Sequence, residues 1–134
     1  MNRKQKLAWA AGFYDGEGSS SCGSNNGNPH SRIQLSIGQK NDGDEIAETL
    51  IKFQKAVKIG NIYKKVRIGK EINQHQYLIS KEADVKCVLK LLWPYISSKK
   101  KNQARRALKL LKNGKRILKS KIEENKRIKN VRKN

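Results

Sequence analysis

The chain is poor in the residues that build disulfide scaffolds, zinc sites and membrane spans. Its 134 residues include two cysteines, Cys22 and Cys87, which are too few for a disulfide framework and do not have the spacing of zinc ligands. We therefore expect free thiols in a reducing compartment. No apolar run approaches the ~18 residues of a transmembrane helix, and the N-terminus has no apolar signal region. These absences predict an intracellular protein that is not secreted, in a bacterial or phage cytoplasm or in an organelle.

Acidic residues are also scarce. Eleven Asp and Glu stand against 31 Lys and Arg, for a formal net charge of +20. Residues 1–98 carry fifteen basic and nine acidic residues, whereas residues 99–134 carry sixteen and two. Such asymmetry predicts an anionic polymer or an anionic membrane as partner. The apolar side of the C-terminal segment is thin, which favours non-specific attraction to phosphates over a membrane-surface helix.

Hydrophobic periodicity predicts the element order α-β-β-α-β-β-α-α. The predicted helices cover residues 6–14, 41–57, 82–92 and 98–112, with Gly16 and Gly18 ending the first and Gly114 the last. The predicted strands cover residues 32–37, 59–68 and 74–80, preceded by an extended polar stretch at 19–24. This order indicates an α+β fold in which one four-stranded antiparallel sheet carries helices on one face. We divide the chain into a domain over residues 1–113 and a basic C-terminal helix or tail over residues 114–134.

Alternation along the strands separates an apolar face from a polar one. Ile33, Leu35 and Ile37 are predicted to face the core, as are Val66 and Ile68. Side chains of Arg, Gln, Ser, Lys and Tyr then form the other face, which suits base edges and phosphates better than a core, because Arg reads guanine and Gln reads adenine through paired hydrogen bonds. The alternative is a solvated strand face. The candidate base-reading residues are Arg32, Gln34, Ser36, Lys65, Arg67, Gln74 and Gln76.

The most informative segment runs from Ala10 to Gly18 and reads Ala-Ala-Gly-Phe-Tyr-Asp-Gly-Glu-Gly. Small residues on a helical run allow a second helix to approach closely, and the two acids at the C-terminal end would lie at that seam. In so basic a chain, a carboxylate held there suits a metal ion. Residues 9–18, the element order and the run Lys99-Lys100-Lys101-Asn102-Gln103-Ala104 after Trp93-Pro94-Tyr95-Ile96 together resemble the LAGLIDADG homing endonucleases, over residues 6–112.

The resemblance implies a homodimer, because the chain carries a single motif. Ala11, Gly12 and Asp15 would then lie at the dimer interface, with the motif helices of two subunits packed together. Asp15 corresponds to the first acid of the motif and is interpreted as structural, bonding backbone groups at the helix end. The fold would be the family's α-β-β-α-β-β-α core with a concave face for double-stranded DNA.

The resemblance also implies metal-dependent cleavage. Glu17 corresponds to the metal-binding acid of the family, and the carbonyl of Gly16 would join the shell around Mg²⁺ or another divalent cation. Gln39 corresponds to a polar position that orients water in the active site. The family often carries a basic residue shortly after that position, and here Asn41-Asp42-Gly43 provides none. We therefore expect either a weaker active site or Lys40 in the place of that basic residue.

The catalytic lysine has two candidates. Counting from Pro94 favours Lys99, and counting back from Gln103-Ala104 favours Lys100. We prefer Lys100, because the helix is the better anchor. A phosphate contact without a catalytic role is the alternative for either lysine.

The leading hypothesis is therefore a site-specific DNA endonuclease, intron- or intein-encoded, that makes a staggered double-strand break at a long pseudo-palindromic site. A non-cleaving DNA-binding protein, or a maturase bound to intron RNA, is the alternative on the same fold; the presence of Glu17 favours the enzyme. A ribosome-associated RNA-binding protein would explain the charge but not the segment Ala10–Gly18.

Overall fold

A computed structural model of the protein describes residues 1–25 and 27–133. The element order is the predicted one. The elements are α1 (Arg3–Glu17), β1 (Gly18–Asn25), β2 (Asn28–Lys40), α2 (Glu48–Val57), β3 (Asn61–Arg67), β4 (Lys70–Ile79), α3 (Glu82–Leu92) and α4 (Ser98–Lys133).

The four strands form one antiparallel sheet in the order β1-β2-β4-β3. The predicted inward residues Ile33, Leu35 and Ile37 of β2 are buried, and they form the core with Tyr77 and Ile79 of β4. All four helices contribute to this same core, so the α+β arrangement with helices on one face is confirmed. The helix side chains that pack there are Ala10, Ala11, Tyr14, Leu50, Phe53, Ala56, Val57, Val85, Val88, Leu89, Leu92, Ala104, Ala107 and Leu111.

Helix α1 is longer at both ends than the predicted residues 6–14. It begins at Arg3 because the side chain of Asn2 accepts a hydrogen bond from the backbone of Gln5, whose own side chain bonds the backbone of Asn2 in return. It continues to Glu17, and Gly18 starts β1 directly. A Cβ at Gly18 would lie 2.6 Å from Cε2 of Tyr14, so this tight passage from helix to strand requires glycine.

Helix α2 begins later than predicted. Residues 41–45 form a turn in which Asp42 and Glu45 exchange backbone hydrogen bonds of 2.9 and 3.0 Å, and the helix starts at Glu48. The acidic segment that suggested an early helix start thus forms this turn instead, closed by the backbone hydrogen bonds between Asp42 and Glu45. The Asp42 carboxylate accepts a hydrogen bond from the backbone of Glu48 at 3.1 Å, so it caps the helix from six residues upstream.

The prediction that Val66 and Ile68 face the core is wrong. Val66 is 57% exposed and Ile68 is 95% exposed, because the β3–β4 hairpin extends past the part of the sheet that the helices cover. The pairing of β3 with β4 also shifts between Lys64 and Val66. Ile68 lies in the hairpin turn with φ of 54° rather than in the strand.

The predicted stop at Gly114 is also wrong. Helix α4 runs without a break from Ser98 to Lys133, so the boundary drawn between residues 113 and 114 falls inside one helix. Gly114 is buried, and a Cβ there would lie 2.5 Å from the carbonyl oxygen of His30. The glycine therefore serves close packing of α4 on the β1–β2 hairpin. None of the described helices is long and apolar enough to cross a bilayer.

Candidate active site and nucleic-acid interface

The two acids of the motif have different surroundings at the end of α1. Asp15 is half-buried, and its two carboxylate oxygens each accept a 3.0 Å hydrogen bond from the backbone N–H of Ser97, while the Ser97 hydroxyl donates a third. Asp15 thus ties α1 to the segment that precedes α4. Glu17 is exposed at the last position of the helix. Of the two carboxylates, that of Glu17 is the one open to a ligand.

Of the two candidate lysines, Lys100 is the one next to this helix end. Its ammonium donates to the carbonyl oxygen of Gly18, one residue after Glu17, and lies 5.8 Å from the centre of the Tyr14 ring. Lys100 is half-buried, whereas Lys99 is exposed. The geometry therefore favours Lys100, found by counting back from Gln103-Ala104, over Lys99, found by counting from Pro94.

The position of α4 is fixed close to this lysine. The backbone N–H of Ser20 donates to Oε1 of Gln103 at 3.1 Å, which fixes the position of α4 along β1. Burial raises the pKa of Tyr14, whose ring packs between Lys100 and Gly18. Within the described part of the chain, the buried hydroxyls of Tyr14 and Ser20 lie near each other without a well-formed hydrogen bond, and neither has another partner.

The sheet register brings Gln39 to the same end of the molecule. Gly18 pairs with Ile37, so Gln39, two residues further along β2, extends past the start of β1 toward the end of α1. Gln39 is half-buried and pairs with His75, whose Nδ1 is 2.6 Å from Oδ1 of Asn41. That contact engages Asn41 in the fold. The candidate catalytic residues from α1, β2 and α4 thus gather at one end of the β1–β2 pair.

The electrostatics at the end of α1 suit a cation. The last turn of a helix carries free carbonyl groups and the negative end of the helix dipole. This turn includes Asp15 and Glu17 and contains no basic residue. Hard oxygen donors of this kind fit Mg²⁺ or Ca²⁺. Among the described residues, no group of three His, Cys, Asp or Glu side chains lies close enough together to hold a metal ion.

The opposite face of the sheet carries the candidate base-reading residues. Directly paired residues of antiparallel strands point to the same face, so the register groups Gln34, Ser36 and Gln76 there. Arg32 and Gln74 join them by alternation, and all five side chains are exposed or half-buried.

The hairpin residues Lys65 and Arg67 alternate onto this open face as well. The Lys65 ammonium would lie 4.0 Å from a Cβ on Gly38, so its side chain extends over β2. Sequence reasoning missed Ser19 and Ser21, which pair with Ser36 and Gln34 on the same face. Alternation along β1 could have identified them, but its run of serines and glycines hid the strand.

The outer side of α1 is lined by small residues. Gly12 and Gly16 are exposed one turn apart, and a Cβ at either would meet nothing within 4 Å. Ala8, one further turn back, is exposed as well. Ala11, which was predicted at a dimer interface, is fully buried in the core and is not available to a partner chain.

Several solved homing endonucleases have this architecture. I-CvuI in complex with its target is 22% identical to the chain, with a TM-score of 0.60 over 82% of this chain and 68% of its own. The archaeal intron-encoded I-Vdi141I, complexed with DNA, is 20% identical, with a TM-score of 0.57 over 86% and 85%. The LAGLIDADG meganuclease I-AabMI is 23% identical, with a TM-score of 0.63 over 83% of this chain and 39% of its own. No protein-family model and no curated protein matches the chain in sequence. The chain has the fold of the LAGLIDADG homing endonucleases.

Proposed function

We propose that the protein is a metal-dependent, site-specific DNA endonuclease that works as a homodimer. The observation that carries this proposal is that the Lys100 ammonium bonds the carbonyl of Gly18, the residue that follows the exposed Glu17, at the end of the β1–β2 pair. An open carboxylate and an ammonium anchored at the next residue of the backbone are suited to a phosphodiester. A solvated surface would not need Lys100 half-buried against the carbonyl of Gly18.

We infer the homodimer from the single open carboxylate that each chain offers at the end of α1. Asp15 is occupied by Ser97, so each chain offers one open carboxylate at this point. The flat outer side of α1 at Gly12 and Gly16 allows a second α1 to pack closely, which would bring two Glu17 side chains together. Two like charges at short range repel unless a cation lies between them, so metal binding and dimerisation should support each other.

Mg²⁺ or another divalent cation would be held by Glu17 of both subunits and by backbone carbonyls such as that of Gly16. When bound, the cation supplies Lewis-acid activation of the phosphate and of the attacking water. I-CvuI has been crystallised with DNA in 2 mM Ca and, with the DNA not cleaved, in 2 mM Mg, which is consistent with divalent cation binding on this fold.

The protein's own groups have separate tasks in cleavage. The Lys100 ammonium would stabilise negative charge that develops on the phosphate, because a fixed positive charge near the reacting group needs no reorganisation. Gln39, at the same end of the sheet, would orient water by hydrogen bonding. Lys99 is the exposed alternative, suited to a phosphate contact. Lys40, exposed at the end of β2, is the basic group nearest in sequence to Gln39.

The open face would lie in the major groove and read bases. Arg32, Gln34 and Ser36 on β2, and Gln74 and Gln76 on β4, provide the donors and acceptors that bind base edges in pairs. With the two subunits joined at α1, their sheets would follow two half-sites, so the target would be long and pseudo-palindromic with a staggered cut between the halves. Double-stranded DNA inside the cell, in an intron or intein homing context, is the expected partner.

One observation favours a second function on the same fold. The residues after Gln39 are committed to structure: Asn41 contacts His75 and Asp42 caps α2. No basic side chain lies between Asn41 and Glu45. A site with one fewer positive charge is suited to binding without efficient cleavage, as in a DNA-binding regulator or a maturase that binds intron RNA.

The test is cleavage of a randomised duplex library in the presence of Mg²⁺. The wild type is compared with Glu17→Gln, which removes the charge at nearly constant shape, and with Glu123→Gln, a matched removal of one exposed carboxylate far along α4. We expect Mg²⁺-dependent double-strand breaks at one sequence with the wild type and Glu123→Gln, and none with Glu17→Gln.

Tight binding of a duplex by all three proteins without any cleavage would favour the second function, binding without cleavage, over the endonuclease. Structured intron RNA would then be the next ligand to test. Equal cleavage by Glu17→Gln and the wild type would show that Glu17 does not hold a metal ion needed for cleavage. Circular dichroism melting of each variant excludes unfolding as the cause.

A further inference from the structure

The last nineteen described residues of α4 form an arm beyond the domain. This arm, Lys115–Lys133, contains nine Lys and Arg and two Glu. Every residue from Lys119 to Arg132 is exposed, so the arm does not pack on the sheet. Its first residue is anchored, because the Lys115 ammonium pairs with the Glu82 carboxylate of α3. The arm is therefore a projecting basic helix with a fixed base.

The path of α4 gives the arm a direction relative to the proposed active site. Near its start, Lys100 contacts Gly18, where β1 begins. At Gly114 the helix packs against the backbone of Pro29 and His30, at the far end of the β1–β2 hairpin. Helix α4 thus runs along the hairpin away from Glu17. From Gly114 to Lys133 it extends about 28 Å further, at ~1.5 Å per residue.

Helical spacing also defines which side of the arm continues the sheet-facing side of α4. Ala104, Ala107, Leu111 and Gly114 face the sheet and are all buried. Steps of three and four residues continue this stripe through Leu118, which is half-buried, and Ile122, which is exposed, to the polar and basic side chains Asn125, Lys129 and Arg132. Beyond Ile122, the stripe that met apolar strands becomes polar and basic.

We propose that the arm binds the phosphate backbone of double-stranded DNA that flanks the target, with Lys129 and Arg132 as the contacting residues. This inference rests on the proposed function. The sheet lies between α4 and its own open face, so side chains on the sheet-facing stripe of the arm point to the side on which DNA would lie. An arm of ~28 Å spans about eight base pairs at ~3.4 Å each, which lengthens the contacted DNA outside each half-site.

The charge distribution of the arm favours phosphates over a second copy of the arm as its binding partner. Among the exposed apolar residues of the arm, Ile117 and Val131 lie away from the sheet-facing stripe, whereas Ile122 lies on it and Ile128 lies at its edge. The stripe is therefore mixed as far as Ile128, and Lys129 and Arg132 supply its basic end. Contacts at the outer end of a half-site carry no base information but add affinity that depends steeply on salt. Pairing with a second arm and binding of structured RNA become outcomes of the test.

The experiment compares a charge-removing variant with a matched control. Lys129→Gln/Arg132→Gln removes two charges from the sheet-facing stripe. Lys109→Gln/Arg116→Gln removes two charges from the opposite side of α4, where both residues are exposed. Binding is measured against salt on two duplexes that carry the cleaved sequence recovered from the library. One duplex ends at the target, and the other continues about ten base pairs on each side, slightly longer than the reach of the arm.

On the long duplex, the Lys129/Arg132 variant leaves four phosphates of the dimer complex without their basic partners. Each such phosphate reduces the slope of log K against log salt by ~0.9, so we expect the slope to fall by about 3.6. On the short duplex the variant should match the wild type, and the control should show a smaller change on both. Equal slopes for variant and control on the long duplex would overturn the inference while leaving target binding, and therefore the proposed function, intact.

Two further results would also overturn it. A change of oligomeric state in the Lys129/Arg132 variant, seen by sedimentation, would assign the arm to a second copy. A reduced affinity for structured RNA without a change on flanked duplex would assign it to RNA. If the wild type binds neither duplex, the proposed function itself fails.

Discussion

Replacement of Gly114 by alanine tests the packing of α4 directly. Alanine is the better helix former by about 1 kcal/mol, and Gly114 lies inside a continuous helix. Helix propensity alone therefore predicts that Gly114→Ala stabilises the protein. The structure predicts the opposite, because the added Cβ would lie 2.5 Å from the carbonyl oxygen and 2.9 Å from the carbonyl carbon of His30.

The size of the effect follows from what must move. The clashing atoms belong to the backbone of the β1–β2 hairpin, so no side-chain rotation relieves them. Either α4 or the hairpin has to shift, and overpacking of this kind costs about 1–3 kcal/mol. After subtraction of the helix propensity gain of about 1 kcal/mol, we expect a net decrease of up to about 2 kcal/mol in the free energy of unfolding.

Urea and thermal unfolding at one protein concentration measure this decrease, since dimerisation makes the midpoint depend on concentration. A decrease of about 2 kcal/mol corresponds to roughly 6–8 °C in Tm for a chain of this size. Lys112→Ala, at an exposed position two residues away, is the matched control and should change stability by less than about 0.5 kcal/mol. A Gly114→Ala variant as stable as the wild type, or more stable, would refute the close approach of α4 to the hairpin.

Three further predictions concern α1 and the base of the arm. Gly12→Leu should fold as a monomer in sedimentation experiments, because a Cβ at this exposed position meets nothing within 4 Å in its own subunit, whereas a leucine would block a second α1; a dimer of unchanged affinity would contradict this. Tyr14→Phe removes a buried hydroxyl that has no well-formed hydrogen bond and whose one described polar neighbour is the Ser20 hydroxyl, so it should raise the free energy of unfolding by up to about 1 kcal/mol; a clear decrease in urea unfolding would mean that Tyr14 and Ser20 are hydrogen-bonded. Hydrogen bonds from Lys115 and Lys86 hold the pKa of Glu82 below its ordinary value of 4.5. Ionised Glu82 therefore stabilises the fold above that pH and loses its contribution as the pH falls through the lowered pKa, so Glu82→Gln should flatten the acid limb of a stability–pH profile.

Most of the fold could be predicted because hydrophobic periodicity reports on local structure. The strand at Ile33–Ile37 and the helix at Glu82–Leu92 have clear periods, and both match the structure in their buried residues or their bounds. The errors have a common cause. Val66 and Ile68 have the alternation of a buried strand, but burial depends on whether a helix lies above them, and that is a property of the whole fold.

The glycines show the same limit more sharply. In a sequence, Gly18 and Gly114 both look like helix ends, and only the first is one. Gly18 is required by the Tyr14 ring, and Gly114 by the backbone of Pro29 and His30, which is more than eighty residues away in sequence. A long-range contact leaves no local pattern, so sequence reasoning could not separate a glycine that ends a helix from one that lets a helix pack.

The candidate site illustrates what tertiary structure adds to a motif. Lys99, Lys100 and Lys101 are consecutive and chemically identical, but a helix turns each by about 100° from the last. Lys99 is exposed, Lys100 reaches the carbonyl of Gly18, and the Lys101 ammonium lies 5.6 Å from the centre of the Trp93 ring. Which lysine reaches the end of α1 is therefore set by the rotation of α4, and that rotation is fixed by contacts at Gln103 and Gly114 rather than by the lysines themselves. A shift of α4 by one residue would remove Lys100 from the carbonyl of Gly18 and would also turn Lys129 and Arg132 away from the sheet side. The proposed active site and the proposed flanking contact thus depend on the same packed glycine.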